Sequence, residues 1–251
     1  SYGFAVSQFF GPVLSQSVGN VETLHVLGKI GWWGHLVMVL VFLNYLPYSK
    51  HLHILFAFPN TYFSELSAKG KLPNMKTVEN EVKLMLDPTA DPYAAQPSSE
   101  VPQRFGAKDV NDLTWKQLLD AYSCTECGRC TSVCPANMTG KLLSPRKIMM
   151  DTRDRLMEVG ANKLNLEDGK SLLGDYITQE EIWACTSCNA CVQECPVNIN
   201  PLAIVIDLRR YLVMEESIIP TELTGMLTNI ENNGAPWQFS PADRMKWTEE
   251  N

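Results

Sequence analysis

Eight cysteines stand in two runs of four, Cys124, Cys127, Cys130 and Cys134, then Cys185, Cys188, Cys191 and Cys195. Both runs read C-x2-C-x2-C-x3-C-P. Seven of fourteen aligned positions are identical at an offset of 61, so the runs form an internal repeat. This is the run that bacterial ferredoxins use for [4Fe–4S] clusters. Two-residue gaps let three thiolates meet neighbouring corners of one cubane. The fourth cysteine of each run completes the other cluster. Cys124, Cys127, Cys130 and Cys195 are therefore expected at one cluster, and Cys185, Cys188, Cys191 and Cys134 at the second. The proline after each fourth cysteine turns the chain and removes a donor.

Other uses of these cysteines fit less well. Zinc sites normally take two separated C-x2-C pairs, whereas here four cysteines fall within eleven residues. A disulfide framework is not usually distributed as two tight clusters, and disulfides are rare on the cytoplasmic side of a membrane.

Helices are expected to position the runs. Thr114-Trp115-Lys116-Gln117 and Thr178-Gln179-Glu180-Glu181 are capping-box patterns, each opening a helix that leads into a cysteine run. Ser144-Pro145 starts a helix with Ile148, Met149, Thr152, Leu156 and Val159 on one face, ending at Gly160. Asn200-Pro201 starts another, apolar through Leu202, Ile204, Val205, Leu208, Leu212 and Val213. The 50 residues between Cys134 and Cys185 exceed what a minimal two-cluster ferredoxin needs, so the expectation is an α-helical ferredoxin domain. Trp115, Trp183 and Met149 read as core packing. Arg146, Lys147, Arg153, Arg155, Arg209 and Arg210 read as solvated helix faces, with i,i+4 pairs such as Asp151 with Arg155. The other reading of these cations is a docking surface for an acidic redox partner.

A different chemistry begins upstream. Ile30 to Ser49 are 20 residues without Asp, Glu, Lys or Arg. At 1.5 Å per residue they span about 30 Å, the thickness of a bilayer's hydrocarbon core. Trp32 and Trp33 at one end and Tyr45 and Tyr48 at the other suit the two interfaces. The alternative is a buried helix of a soluble domain. Residues 1–29 contain one lysine, Lys29, while Lys50, Lys69, Lys71, Lys76 and Lys83 follow the span. The positive-inside rule then places everything after Tyr48 in the cytoplasm. Residues 1–29 are expected as an extracytoplasmic loop that touches the membrane through Phe9, Phe10, Val13 and Leu14. The chain opens on Ser1 and enters the membrane from outside without an export signal, so it reads as the C-terminal part of a longer membrane protein.

Of four histidines, His35 lies in the span and His51 and His53 just beyond it. His35 and His53 are 18 residues apart, which is five full helical turns. On an unbroken helix they share one face, about 27 Å apart, as axial ligands of two stacked b-type haems would. His51 faces about 160° away. Pro47 is expected to kink that helix and shift the register. The alternative has His35 hydrogen-bonded to a neighbouring helix and the other two as interfacial residues.

The expected architecture is mainly α. It comprises a loop at 1–29, a transmembrane helix at 30–53 that is the last of a bundle, and a juxtamembrane connector at 54–87 with a short amphipathic helix near 76–86. A proline-rich linker at 88–103 and an α-helical dicluster ferredoxin domain with a C-terminal tail at 104–251 follow. Hydrophobic residues at 45% and charged residues at 20% exclude a wholly disordered chain. A formal charge of −7 argues against nucleic acid as a partner. No G-x-G-x-x-G or G-x-x-x-x-G-K-[ST] motif occurs, and no catalytic site of its own is evident.

The segment from His35 through Pro47-Tyr48-Ser49-Lys50-His51-Leu52-His53 resembles the last haem-binding helix of the respiratory nitrate reductase gamma subunit family. That resemblance implies His35 and His53 as ligands of different haems b. The Cys124–Pro196 region resembles the C-type component of heterodisulfide reductase. Together, with Tyr45–His53 and Asn232-Asn233-Gly234-Ala235-Pro236-Trp237, the chain resembles membrane-bound (Fe–S)-binding proteins related to heterodisulfide reductase. The resemblance implies further N-terminal membrane helices and a partner protein or domain with CCG cysteine motifs. It also implies electron-transfer flavoprotein as a donor, menaquinone as the membrane partner and other respiratory subunits around it. The expected role is an electron-transfer subunit of an oxidoreductase in the inner membrane of a prokaryote. Electrons would pass between a cytoplasmic partner, two [4Fe–4S] clusters, haem b and the quinone pool. Two other readings stay open: a haem-free ferredoxin tethered to the membrane, and a soluble enzyme subunit with structural clusters.

Overall fold

A computed structural model describes residues 7–49, 51–68, 70–87, 104–162 and 168–249. The expected proline-rich linker at 88–103 lies outside them. The described residues are mainly helical and contain no strand, only an isolated bridge between Leu173 and Ile177. The chain divides into two compact units, Ser1–Leu52 and His53–Asn251.

The first unit holds α1 (Ser7–Val18) and α2 (Val21–Tyr45). Gly19 takes a left-handed φ of +60° between them, and the Asn20 side chain caps α2 by accepting from the Glu22 N–H at 3.0 Å. The loop expected at 1–29 is thus corrected. Nothing between Glu22 and Lys29 breaks a helix once Asn20 has started it, so the apolar helix begins at Val21 instead of Ile30. At 1.5 Å per residue, α2 is about 37 Å long, enough to cross a bilayer core. None of its residues is buried within the chain. That is how a helix looks when lipid or other helices must cover its apolar surface, and it disfavours the core helix of a soluble domain.

The far end of the expected helix is also corrected. α2 stops at Tyr45. Leu46–Tyr48 tighten into a 3-10 turn around Pro47, and Ser49 is extended at φ −110°, ψ 167°. A new helix, α3 (Leu52–Tyr62), then begins. Proline supplies no N–H and crowds the preceding turn, so the register from His35 does not carry through to His53.

α3 opens the second unit and is no loose connector. Its Asn60 is fully buried; Asn60 Nδ2 donates to the Val197 carbonyl at 3.0 Å and Oδ1 accepts from Lys116 Nζ at 2.8 Å. The Phe56 carbonyl accepts from Ser123 Oγ at 3.3 Å, and the Phe56 ring meets Tyr122 edge-on at 5.9 Å. α4 (Lys76–Leu86) follows where amphipathic spacing predicts it.

The remainder is one plan used twice. In the first half, α5 (Trp115–Ser123) is capped by the Thr114/Gln117 box and leads into Cys124. A one-turn helix α6 (Arg129–Ser132) carries Cys130, α7 (Pro135–Met138) follows Cys134, and α8 (Pro145–Ala161) starts on the Ser144 cap. In the second half, α9 (Gln179–Ala184) is capped by the Thr178/Glu181 box. α10 (Ala190–Gln193) matches α6 at the same offset of 61, and α11 (Pro201–Met214) starts on the Asn200 cap. α8 and α11 pack together through Ile148, Met149, Ile204, Leu208 and Leu212, all buried. α12 (Thr221–Asn233) and a 3-10 segment Pro241–Thr248 form the tail.

Three side-chain expectations change. Trp115 is exposed and only edges against Phe63 at 5.2 Å, whereas Met149 is buried and Trp183 packs on the core. Arg155 is not a solvated partner of Asp151: it is fully buried between Asp109 and Asp168. Lys147 joins α8 to the second half through Glu181 at 2.9 Å as well as to Asp151 at 2.7 Å. Helical spacing sees only partners on the same helix, and these come from distant segments.

Gly106 takes φ +74° where the chain lies against α11. A Cβ there would sit 2.3 Å from the Asp207 carbonyl oxygen and 2.4 Å from the Tyr211 nitrogen. Both are helix backbone and cannot step aside. Gly106→Ala is expected to destabilise the second unit by about 2–5 kcal/mol, from left-handed strain plus overpacking. Denaturant unfolding of the variant beside the parent measures it.

Candidate metal centre

The repeat extends to the backbone of the cysteine loops. Glu126 (φ 57°) and Gly128 (φ 82°) are left-handed in the first run, and Ser187 (φ 56°) and Asn189 (φ 62°) are left-handed at the matching positions of the second. Each loop therefore alternates hand between its cysteines. Such alternation turns successive N–H groups to one side and makes a concavity for an anion. Only one of the four is glycine; Asn189 tolerates the left-handed region, while Glu126 and Ser187 bear its strain. The Ser187 N–H donates to Cys185 Sγ and the Ile199 N–H to Cys195 Sγ, both at 3.4 Å.

Cys124, Cys127, Cys130 and Cys195 line one cavity, together with Met149, Arg129 and Arg146. Cys191 also reaches its wall. Burial pushes the Cys124 thiol up to about 11, and the neighbouring thiols of Cys130 and Cys195 push the same way. Burial likewise pushes Cys191 up to about 12, and its neighbours Cys185, Cys130, Cys134 and Cys188 push the same way. Cys185 is raised by burial and interacts with Cys134 and Cys188. Cys127 is lowered, chiefly by the Arg129 N–H. Cys134 of the first run thus lies among the second run's thiols, and Cys195 of the second among the first's. Cys191 also has Cys130 of the first run as a neighbour. Iron binding needs thiolates, so loading the site releases the protons that burial holds on Cys124 and Cys191.

Among the described residues, no three Cys, His, Asp or Glu side chains gather as a single metal ion requires. A cubane spreads its ligands over four irons. Four thiols around a cavity, with N–H groups turned inward, fit that larger anionic group. A second observation fits too. Trp183, two residues before Cys185, has a buried indole N–H with no acceptor among the described residues, and a cluster sulfur is such an acceptor. Cys127 and Cys188, the middle cysteine of each tight trio, are exposed, so each centre would have an edge at the surface.

Two arginines that helical spacing assigns to solvent hold these loops instead. Arg153 of α8 pairs with Glu126 at 2.7 Å. Arg209 of α11 donates to the Ile182 carbonyl from Nη2 at 2.6 Å and from Nε at 3.1 Å. It also donates to the Cys185 carbonyl and to Ser187 Oγ. Each stands eight residues after its helix's opening proline, Pro145 or Pro201, which is the signal that could have found them.

The histidines are placed differently. His35 is exposed midway along α2, and His53 is the second residue of α3, partly buried. They fall in separate units. His51 lies in the turn between the helices, its ring 6.3 Å from that of Phe42. On α2 the other histidine is His25, ten residues and about 15 Å from His35 along the axis. A haem at His35 would take its second ligand from another helix.

Comparison with known proteins agrees with the cysteine chemistry. Residues 123–199 match the profile of a 4Fe-4S dicluster domain, and residues 88–139 match a second profile of that description. The "Probable iron-sulfur-binding oxidoreductase FadF" of Bacillus subtilis (strain 168) is 35% identical over 90% of this chain and 34% of its own length. The "EtfAB:quinone oxidoreductase" of Syntrophomonas wolfei is 29% identical over 99% of this chain and 34% of its own length. A heterodisulfide reductase C-like protein of Archaeoglobus profundus is 28% identical over 61% of this chain and 72% of its own length. The chain spans about a third of the length of the first two. It is an iron–sulfur protein related to FadF-type oxidoreductases and to heterodisulfide reductase C-like proteins.

Proposed function

We propose that this chain is the electron-carrying, membrane-attached part of an oxidoreductase that exchanges electrons between a cytoplasmic partner and the quinone pool. Cys124, Cys127, Cys130 and Cys195 hold one [4Fe–4S] cluster, and Cys185, Cys188, Cys191 and Cys134 hold the other. The observation that carries the reading is the pair of left-handed C-x2-C loops, built alike and each surrounded by thiols from both runs. Bound clusters supply one-electron transfer. The chain's residues hold the two centres in one core, direct N–H groups at sulfur and keep an edge of each centre at the surface.

α2 crosses the inner membrane, with the second unit on the cytoplasmic side, as the lysines after Tyr48 indicate. His35 and His53 each ligate a haem b, with the remaining ligands on other helices. α3 favours this route: it carries His53 at its start and is bonded to Ser123 and Val197, which flank Cys124 and Cys195. Menaquinone is the membrane acceptor. Electron-transfer flavoprotein, a CCG-motif protein or domain and other respiratory subunits are its partners; the names of the relatives, an EtfAB:quinone oxidoreductase and a heterodisulfide reductase C-like protein, support partners of that kind.

A second reading, a haem-free ferredoxin tethered by α2, is favoured by the break at Leu46–Ser49, which removes the argument for one histidine face. An optical spectrum of the detergent-purified complex, oxidised and dithionite-reduced, separates the two, together with iron and acid-labile sulfide assays. The conduit predicts about eight cluster irons per chain and a reduced b-haem band. His35→Ala and His53→Ala should each remove one haem and leave the cluster iron in place. Full cluster iron with no haem band would establish the tethered ferredoxin.

A further inference from the structure

The two halves differ at one point that bears on both centres. Glu126 and Ser187 occupy the same position in the repeat, as do Arg153 and Arg209 in the proline-started helices. In the first half the guanidinium meets a carboxylate, Arg153 Nη2 to Glu126 Oε1 at 2.7 Å. In the second it meets only neutral oxygens: the Ile182 and Cys185 carbonyls and, at 3.3 Å, Ser187 Oγ. Among the described residues Arg209 has no carboxylate partner; its guanidinium lies over the Trp183 ring at 5.2 Å.

We propose that Arg209 sets the cluster of Cys185, Cys188, Cys191 and Cys134 at a higher reduction potential than the other, where Glu126 cancels the matching charge of Arg153. The inference rests on the two-cluster reading above. Reduction adds a negative charge to a cluster, and a fixed cation beside it stabilises that form. Arg209 is partly buried against the ligand loop, where water and salt screen it poorly. Arg129 and Arg146 line the first cavity, but both are exposed and screened. An electron entering the pair therefore rests on the second cluster, and the first is the transit site.

The test is a potentiometric titration followed by electron paramagnetic resonance on the cluster-loaded protein in detergent. Cys127→Ser and Cys188→Ser assign the two signals. Two midpoints are expected, the second cluster's higher by more than 59 mV, a tenfold ratio for one electron. Arg209→Gln should lower that midpoint by at least as much and leave the first unchanged. Arg209→Lys should retain most of it. Glu126→Gln should raise the first midpoint and narrow the gap, and it decides the matter with Arg209→Lys if the glutamine variant does not assemble. Equal or inverted midpoints in the parent protein would overturn the proposal, as would an unshifted second midpoint in a fully iron-loaded Arg209→Gln. Absence of cluster iron from the parent protein would instead overturn the two-cluster reading.

Discussion

Cys134→Ser is expected to abolish the cluster held by the second cysteine run while the first run keeps its own. This expectation starts from which thiols act on one another. Cys134 is buried, and its thiol interacts with Cys185 and Cys191, fifty or more residues further along the chain. Chain order alone would assign it to Cys124, Cys127 and Cys130. About four of about eight irons should be lost, and one of two resonance signals should disappear. Cys195→Ser should remove the other signal. Loss of the first run's signal in Cys134→Ser would mean that each run closes its own cluster, and the crossed ligand sets would be abandoned.

The second large effect is on stability. Arg155 is fully buried. Its Nε donates to Asp109 at 3.0 Å, Nη1 to Asp168 at 2.6 Å and Nη2 to the Lys170 carbonyl at 2.8 Å. Asp109 also accepts from the Leu172 N–H at 3.1 Å. One guanidinium thus ties α8 to the segment before α5 and to the segment before α9, the latter linking the two halves. Arg155→Ala leaves the Asp109 carboxylate deep in the fold without its countercharge. Breaking a buried pair from one side costs about 3–5 kcal/mol, so unfolding of the second unit should shift by that much. Arg155 holds the Asp168 carboxyl down to about 2, helped by the Lys170 N–H. A depressed carboxyl stabilises fully above its unfolded value and loses that contribution as pH falls towards 2. The parent protein should therefore weaken across that acid window, and Arg155→Ala should weaken less steeply there. A variant as stable as the parent would show that water replaces the guanidinium without cost.

How much of this is legible in the sequence divides by the range of the interaction. The cysteine spacing, the Thr114 and Thr178 capping boxes, and the Ser144-Pro145 and Asn200-Pro201 starts all work within about four residues, and the helices open where those residues stand. The apolar run of α2 is legible for the same reason. Its start is not, because Glu22, His25 and Lys29 mark where apolar character fades, whereas the N-cap at Asn20 decides where the helix begins. Pro47 announces a break, yet only the structure turns that break into a 3-10 turn, an extended Ser49 and a separate α3.

Residue types and their spacing carry the chemistry: eight cysteines in two ferredoxin runs, an apolar helix long enough for a bilayer, and a mainly α scaffold. How those parts are held comes from contacts made on folding. Arg155 between Asp109 and Asp168, Asn60 on the Val197 carbonyl, and Arg209 among carbonyls where Arg153 has Glu126 are contacts between residues 13 to 137 positions apart. Cap and spacing rules carry no information at that separation. A buried charge is placed by whichever distant segment can satisfy it, and that depends on how the two halves pack.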